Sequence, residues 1–341
     1  MPATVELPAA TPAEMGFSAS ILDERLGPLL GEHKTGAAAL LVKGRLVWER
    51  YWDGHGPATK FDVYSMGKAY AAAAIGLLAD DGLLSLDDPA CKFLPEWKRE
   101  GNREILIKHL LTMTSGLKLE YEKFTSEPDP TAATLAWPVE HRPGTVWSYE
   151  QATAHALCPI VVRVSGKQPI ELLRERVLGP IGAGAVEWLR AANGDCKTWR
   201  STLTSARDVC KFGWLLLKDG RWGERQLLSA EFCRKMRTRD PLFRNVVCDP
   251  RQQELKARNY GYLQFLNVDG MWPDADPRVF APTGAYANLC LIDPVRETVL
   301  ARLVTPADVA DHKPYSNKLD SLSGGTNEIW KVLREAVVGE Q

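Results

Sequence analysis

A serine and a lysine stand three residues apart, Ser65 and Lys68, in the stretch FDVYSMGKAYAAAAIGLLADDG. They sit at the mouth of a nearly uncharged run, residues 69–78. On a helix, positions i and i+3 share a face, so the Ser65 hydroxyl and the Lys68 amine can meet. A serine hydroxyl is a weak nucleophile at neutral pH and needs a base within hydrogen-bond reach. A lysine serves as that base when burial keeps its amine neutral, and the apolar run supplies the burial. The S-x-x-K pattern thus describes a mechanism, acyl transfer through a serine ester. As a string it is weak, since ordinary Ser and Lys usage produces roughly one copy in a chain of this size. A second copy is present, Ser115 and Lys118 in TMTSGLKLEY, where Ser-Gly ends a helix and opens a turn. That pair reads as a turn serine and a solvated lysine. The plain alternative for Ser65 and Lys68 is a helix-cap serine and a surface lysine.

The elements around the pair are what must position it. SASILDERLGPLLGEH (18–33) predicts an amphipathic helix with a serine start. GAAALLVKGRLVWERYW (36–52) predicts two strands turning at Lys43-Gly44. The helix bearing Ser65 follows, and 86–97 is a polar, proline-bearing connection. From about residue 102 to 220 the pattern is helical, clearest in ILIKHLLTM, ATAHALCPIVVRVSG, PIELLRERVLGPIG and SARDVCKFGWLLLKDG. Residues 124–147, rich in Pro, Glu and Trp, predict a long functional loop. Strand character returns at 260–268, 286–293 and 298–304, and a last helix is predicted over roughly 317–337. Strands at both ends with helices between predict an α+β fold. Its antiparallel sheet is built from both chain ends and flanked by helices, with a mostly helical region inserted. The expected division is 1–84 with 221–341 for the sheet part and 85–220 for the helical part. The cleft between them is the natural site.

Four segments, in order, carry a likeness to a known family. GHGPATKFDVYSMGKAYAAAAIGLLADDGLLSLDDPACKFLPEW, IKHLLTMTSGL, RPGTVWSYEQATAHALCPIVVRVSGK and STLTSARDVCKFGWLLLKDGRW resemble the serine β-lactamase and penicillin-binding-protein-like family. The likeness runs from about residue 12 to 305. Members include class C β-lactamases, D-Ala-D-Ala peptidases, family VIII carboxylesterases, aminohexanoate-oligomer hydrolases and some acyltransferases. The resemblance implies the β-lactamase/transpeptidase-like fold, with Ser65 as nucleophile and Lys68 as base. It also implies a tyrosine motif, Y-x-N, which here is Tyr149-Glu150-Gln151. Tyr149 would share a proton with Lys68 and protonate the leaving group. Gln151 replaces the asparagine and keeps an amide on a longer stem. The third motif, K-T-G or H-x-G, corresponds to Pro282-Thr283-Gly284 in VFAPTGAYANLCLIDP. Gly284 would let a substrate lie close to the strand, and the motif's cation is replaced by Pro282. By analogy the oxyanion hole is the backbone N–H groups of Ser65 and Ala285.

Composition narrows the function further. The chain has 341 residues and a net charge of −1, with 45% hydrophobic and 25% charged residues, so no global field recruits nucleic acid or a membrane surface. The N-terminus lacks the basic and apolar regions of a signal peptide. No run approaches the ~18 apolar residues of a transmembrane span. Seven scattered cysteines without a C-x-x-C pair read as reduced thiols of a cytoplasmic protein. No G-x-S-x-G, no H-E-x-x-H and no Gly-rich phosphate loop occurs, so neither metal nor cofactor is expected. His141 and Arg142 in HRPG, and Trp137, Trp147 and Trp272, are secondary candidates for the cleft rim and an acyl pocket. The expected activity is a serine hydrolase forming an acyl-enzyme on Ser65, a carboxylesterase or amidase acting on a small ester or amide. The alternatives are a β-lactamase or D-Ala-D-Ala peptidase-like enzyme, an acyltransferase, or a binding protein that has kept the fold and lost turnover.

Overall fold

The computed structural model describes residues 6–32, 34–252, 259–304 and 324–339. The hairpin predicted at Lys43-Gly44 forms as β1, Thr35–Val42, and β2, Arg45–Tyr51. Both turn residues have positive φ, 49° and 76°, the geometry that matches a two-residue turn to strand twist. The C-terminal half adds β3, Phe265–Leu266; β4, Phe280–Ala281; β5, Thr283–Gly284; β6, Asn288–Asp293; and β7, Thr298–Val304. All pairings are antiparallel, in the order β3-β4-β6-β7-β1-β2, with β5 also on β6. First and last strands therefore pair at the centre, with Leu40 opposite Leu300. The sheet built from both ends is the one the sequence predicts. The 260–268 segment is an exception, because only Phe265–Leu266 is strand. Tyr260–Gln264 instead folds into a turn, with Gly261 N–H donating to Gln264 O and Leu263 at φ 56°.

Helices cover this sheet. Ala206–Leu217 packs across β1, β6 and β7 so closely that a Cβ on Gly213 would lie 2.6 Å from Val299 Cγ1. The expected boundary near residue 220 thus leaves on the helical side a helix that lies on the sheet. Gly324–Ala336 packs against the N-terminal helical segment, Ala19–Glu32. The predicted start of that last helix, 317–323, and His33 lie outside the described residues. The helix Gly67–Asp80 is buried from Gly67 to Leu78 on every face, which explains a sequence of alanines with no polar stripe. The predicted loop 124–147 contains a helix, Pro130–Ala136, whose Asp129 side chain accepts the Ala132 N–H. No helix among the described residues is long and apolar enough to cross a membrane. All seven cysteines are free thiols, five of them buried.

Candidate active site

The segment that carries Ser65 is held from two sides. Phe61–Asp62 pairs with Thr202–Thr204, and Val63 N–H continues the ladder to Thr202 O at 2.9 Å. Val63 then turns its carbonyl away from its own nitrogen, with ψ at 8°. That carbonyl meets β5, where a Cβ on Gly284 would lie 2.0 Å from it. Tyr64 follows at φ 49°, its N–H held by Asp62 Oδ1 at 2.8 Å. A left-handed tyrosine costs roughly 1–2 kcal/mol, and two neighbouring strands hold it there. Ser65 therefore sits in a 3-10 turn, Tyr64–Met66, immediately before the α-helix rather than inside it. It is half-buried, at the positive end of the helix dipole.

Lys68 is fully buried, yet its Nζ lies 2.9 Å from Ser65 Oγ. It donates to Gln151 Oε1 at 2.9 Å and to the Trp199 carbonyl at 2.5 Å. Burial holds its amine well below the usual lysine range; the Glu150 carboxylate opposes this and Arg200 adds to it. Tyr149 presents its ring to the same amine, 4.7 Å from Nζ to the centroid. Burial pushes its phenol above the usual range, and the Ser65 hydroxyl opposes this. The pair Ser65 and Lys68 and the pair Tyr149 and Gln151, far apart in sequence, thus share one place. Thr283–Gly284, β5, lies against the Tyr64–Met66 turn, and Ala285 opens the turn that follows it. There Tyr286, at φ 64°, sets its ring edge-on to Tyr64 at 5.2 Å.

The other candidates lie elsewhere or play other parts. Ser115 is buried and bonds Thr153 Oγ1 at 2.6 Å, while Lys118 pairs with Glu120. Trp137, Trp147 and Trp272 are core residues. Arg142 is exposed beside Glu104. His141 meets Glu140 and Asp249 in a cluster with metal-ligand spacing, but Arg251 bonds both carboxylates at 2.6 Å and stands where a cation would.

Several site residues escaped the sequence reading. Trp199 acts through its carbonyl, so its side-chain type carries no signal. Gln252 clamps the Tyr149 backbone at both ends, accepting from its N–H at 2.6 Å and donating to its carbonyl at 3.4 Å. Glu150 is wholly buried between the two motif residues, and burial pushes its carboxyl up to about 7. It accepts the N–H groups of Ala152 and Glu120, a cap to the short helix Gln151–His155. Arg200 follows Trp199 on the segment leading into Thr202–Thr204. A glutamate inside a motif and an arginine ahead of a short strand were the available signals, and neither is specific.

Similar proteins bear on this geometry. A Bacillus anthracis protein provisionally named a 6-aminohexanoate-dimer hydrolase superposes with a TM-score of 0.74 at 18% identity, over 96% of this chain and 86% of its own. A family VIII carboxylesterase superposes with a TM-score of 0.70 at 17% identity, over 97% of this chain and 99% of its own. At these identities the likeness is one of fold. An uncharacterised protein of Alkalihalophilus pseudofirmus is 27% identical over 230 residues, 58% of this chain and 63% of that protein. One of Mycobacterium tuberculosis is 28% identical over 238 residues, 53% of this chain and 59% of that protein. The chain thus spans less than two thirds of the length of these relatives. Residues 22–321 match the family model described as Beta-lactamase, and the chain belongs to the Beta-lactamase family.

Proposed function

We propose that the protein is a serine hydrolase that forms an acyl-enzyme on Ser65, a carboxylesterase or amidase acting on small esters or amides. The observation that carries this reading is the 2.9 Å contact between a half-buried serine hydroxyl and a wholly buried lysine amine. A neutral amine has two N–H groups and one lone pair. Gln151 Oε1 and Trp199 O accept the two N–H groups, which leaves the lone pair for the Ser65 proton. Ser65 Oγ attacks the carbonyl carbon as its proton passes to Lys68. The N–H groups of Ser65 and Ala285 stabilise the resulting oxyanion. Lys68 returns the proton through Tyr149 to the departing alkoxide or amine. Water then attacks the ester on Ser65, with the same groups removing its proton. Thr283 and Gly284 line the strand edge along which the substrate lies.

Intact-mass spectrometry after treatment with a fluorophosphonate tests this directly. The expected result is one phosphonyl adduct on the wild type, mapped to the Ser65 peptide, and none on Ser65→Ala. Turnover of p-nitrophenyl butyrate should fall by roughly 10⁴- to 10⁶-fold in Ser65→Ala, and Ser115→Ala should stay close to wild type. An adduct on Ser115, or hydrolysis undiminished in Ser65→Ala, overturns the assignment.

A further inference from the structure

Two walls flank the nucleophile, and they differ in charge. β5 lies against the Val63 carbonyl, and the residue ahead of it is Pro282, which offers neither a cation nor an N–H. Its carbonyl already accepts the Cys290 N–H. The nearby Arg278 is exposed and turned to Asp276, with bonds of 2.8 and 2.9 Å. The other wall is the segment from Trp199 to Thr204, which meets Val63 at its N–H. Trp199 reaches the lysine with its carbonyl, and Arg200 is the next residue.

Arg200 is half-buried. Its carbonyl is fixed by Trp188 Nε1 at 3.1 Å, and its Nε lies 3.3 Å from Ser201 Oγ. Neither terminal nitrogen of its guanidinium has a hydrogen-bond or ion-pair partner among the described residues. The Asp62 carboxylate accepts the Tyr64 N–H and makes no ion pair with Arg200 among the described residues. The carbonyl that precedes Arg200 by one residue, Trp199 O, bonds the Lys68 amine at 2.5 Å, and the Arg200 charge opposes protonation of that amine. A guanidinium is a planar fork suited to a carboxylate, and Arg200 carries one with unpartnered arms one residue from the carbonyl that holds Lys68.

We infer that Arg200 is a specificity-determining residue and that the acyl part of the substrate carries a carboxylate, which pairs with its guanidinium. The acyl part is assigned because Pro282 leaves β5, where the resemblance puts the cation for a leaving-side carboxylate, without one, while Arg200 belongs to the segment on the other side of Val63. This inference rests on the hydrolase reading above for its geometry. It differs from it in naming the substrate class, the half-ester or half-amide of a dicarboxylic acid.

Three p-nitrophenyl or aryl esters separate the outcomes. They are the mono-p-nitrophenyl ester of adipic acid, p-nitrophenyl hexanoate as its uncharged counterpart of equal chain length, and 4-carboxyphenyl hexanoate with the charge on the alcohol side. The adipate ester should exceed the hexanoate in kcat/KM by about ten- to a hundredfold. Arg200→Gln should collapse that ratio, and Arg200→Lys should keep part of it. A ratio near one in the wild type, or a ratio unchanged in Arg200→Gln, overturns the inference, as does a preference confined to 4-carboxyphenyl hexanoate. Calorimetric binding of adipate to Ser65→Ala needs no turnover. Binding weakened at least tenfold by Arg200→Gln upholds the carboxylate site even if no ester is hydrolysed. Ester hydrolysis indifferent to Arg200 upholds the hydrolase and removes the site.

Discussion

At Lys68 the nitrogen has four tetrahedral directions, and a neutral amine fills all of them. The stem takes one, Gln151 Oε1 and Trp199 O take the N–H groups, and the lone pair meets Ser65. An ammonium would donate to the Ser65 oxygen instead and hold it as an alcohol. Catalysis should therefore rise with pH as Lys68 loses its proton. Glu150 opposes that loss by stabilising the ammonium. Glu150→Gln removes the anion, so the acid limb of the kcat/KM profile should move to lower pH. The same residue makes a stability prediction. Its carboxyl is raised from 4.5 to about 7, so the folded state keeps a proton that the unfolded chain releases. Its contribution is whole below pH 4.5 and is lost as pH rises through about 7. Urea unfolding across that window should show a shallower fall with pH in Glu150→Gln than in wild type; an unchanged slope rejects the raised pKa. Tyr149 and Lys68 make a third test. Lys68→Ala and Tyr149→Phe should each lose about two to four orders of magnitude, and the double variant far less than their sum. Strict additivity would mean that the two do not handle one proton together. The Ser65–Lys68 pair was readable because i, i+3 spacing converts directly into a contact. The Trp199 carbonyl and the Gln252 clamp were not, because backbone groups leave no trace in residue type and residue 252 is remote in sequence.

Among the elements, the closest approach in the site is between β5 and the nucleophile segment. Gly284 has φ −129°, which any residue adopts, so its need for glycine is one of space. A Cβ there would meet a backbone oxygen at 2.0 Å, and neither strand yields without moving Ser65. Gly284→Ala should cost about 1–3 kcal/mol in unfolding free energy. It should also slow fluorophosphonate labelling of Ser65 by more than tenfold. Wild-type labelling in a destabilised Gly284→Ala would show that the contact serves stability alone. The sequence signals of the elements vary in the same physical terms. The β1–β2 hairpin was legible through its strand-forming residues and a Lys-Gly turn. Asp129-Pro130 was a legible helix start inside a predicted loop, with a cap and a proline at its first position. The stretch 260–268 misled because aromatic and apolar residues report burial, and Tyr260 is buried in a turn against Trp147 and Phe265. Thr202–Thr204 was hidden because a three-residue strand carries no period.

For the molecule as a whole, the sheet from both chain ends supplies β5, and the helical part supplies Tyr149 and Gln151. The segment after residue 199 closes the other side. This division of labour bears on which substrates fit. β-Lactams and D-Ala-D-Ala peptides carry a carboxylate close to the scissile bond, on the leaving side. The resemblance places a cation for it at the position of Pro282. A charge-assisted hydrogen bond of that kind is worth roughly 1.5–3 kcal/mol. Its absence should weaken such substrates by about ten- to a hundredfold. Arg278 and Arg142 do not restore it, since one pairs with Asp276 and the other lies exposed beside Glu104. Arg200 stands on the wall away from β5. An aryl ester loses nothing at Pro282, and its phenoxide leaves more readily than an amine. p-Nitrophenyl butyrate should therefore show a higher kcat/KM than a chromogenic cephalosporin, both measured on one preparation at neutral pH. Introducing the missing cation with Pro282→Lys should narrow the gap by raising the cephalosporin value. A cephalosporin value equal to or above the ester value in the wild type would reject the esterase reading in favour of a β-lactamase.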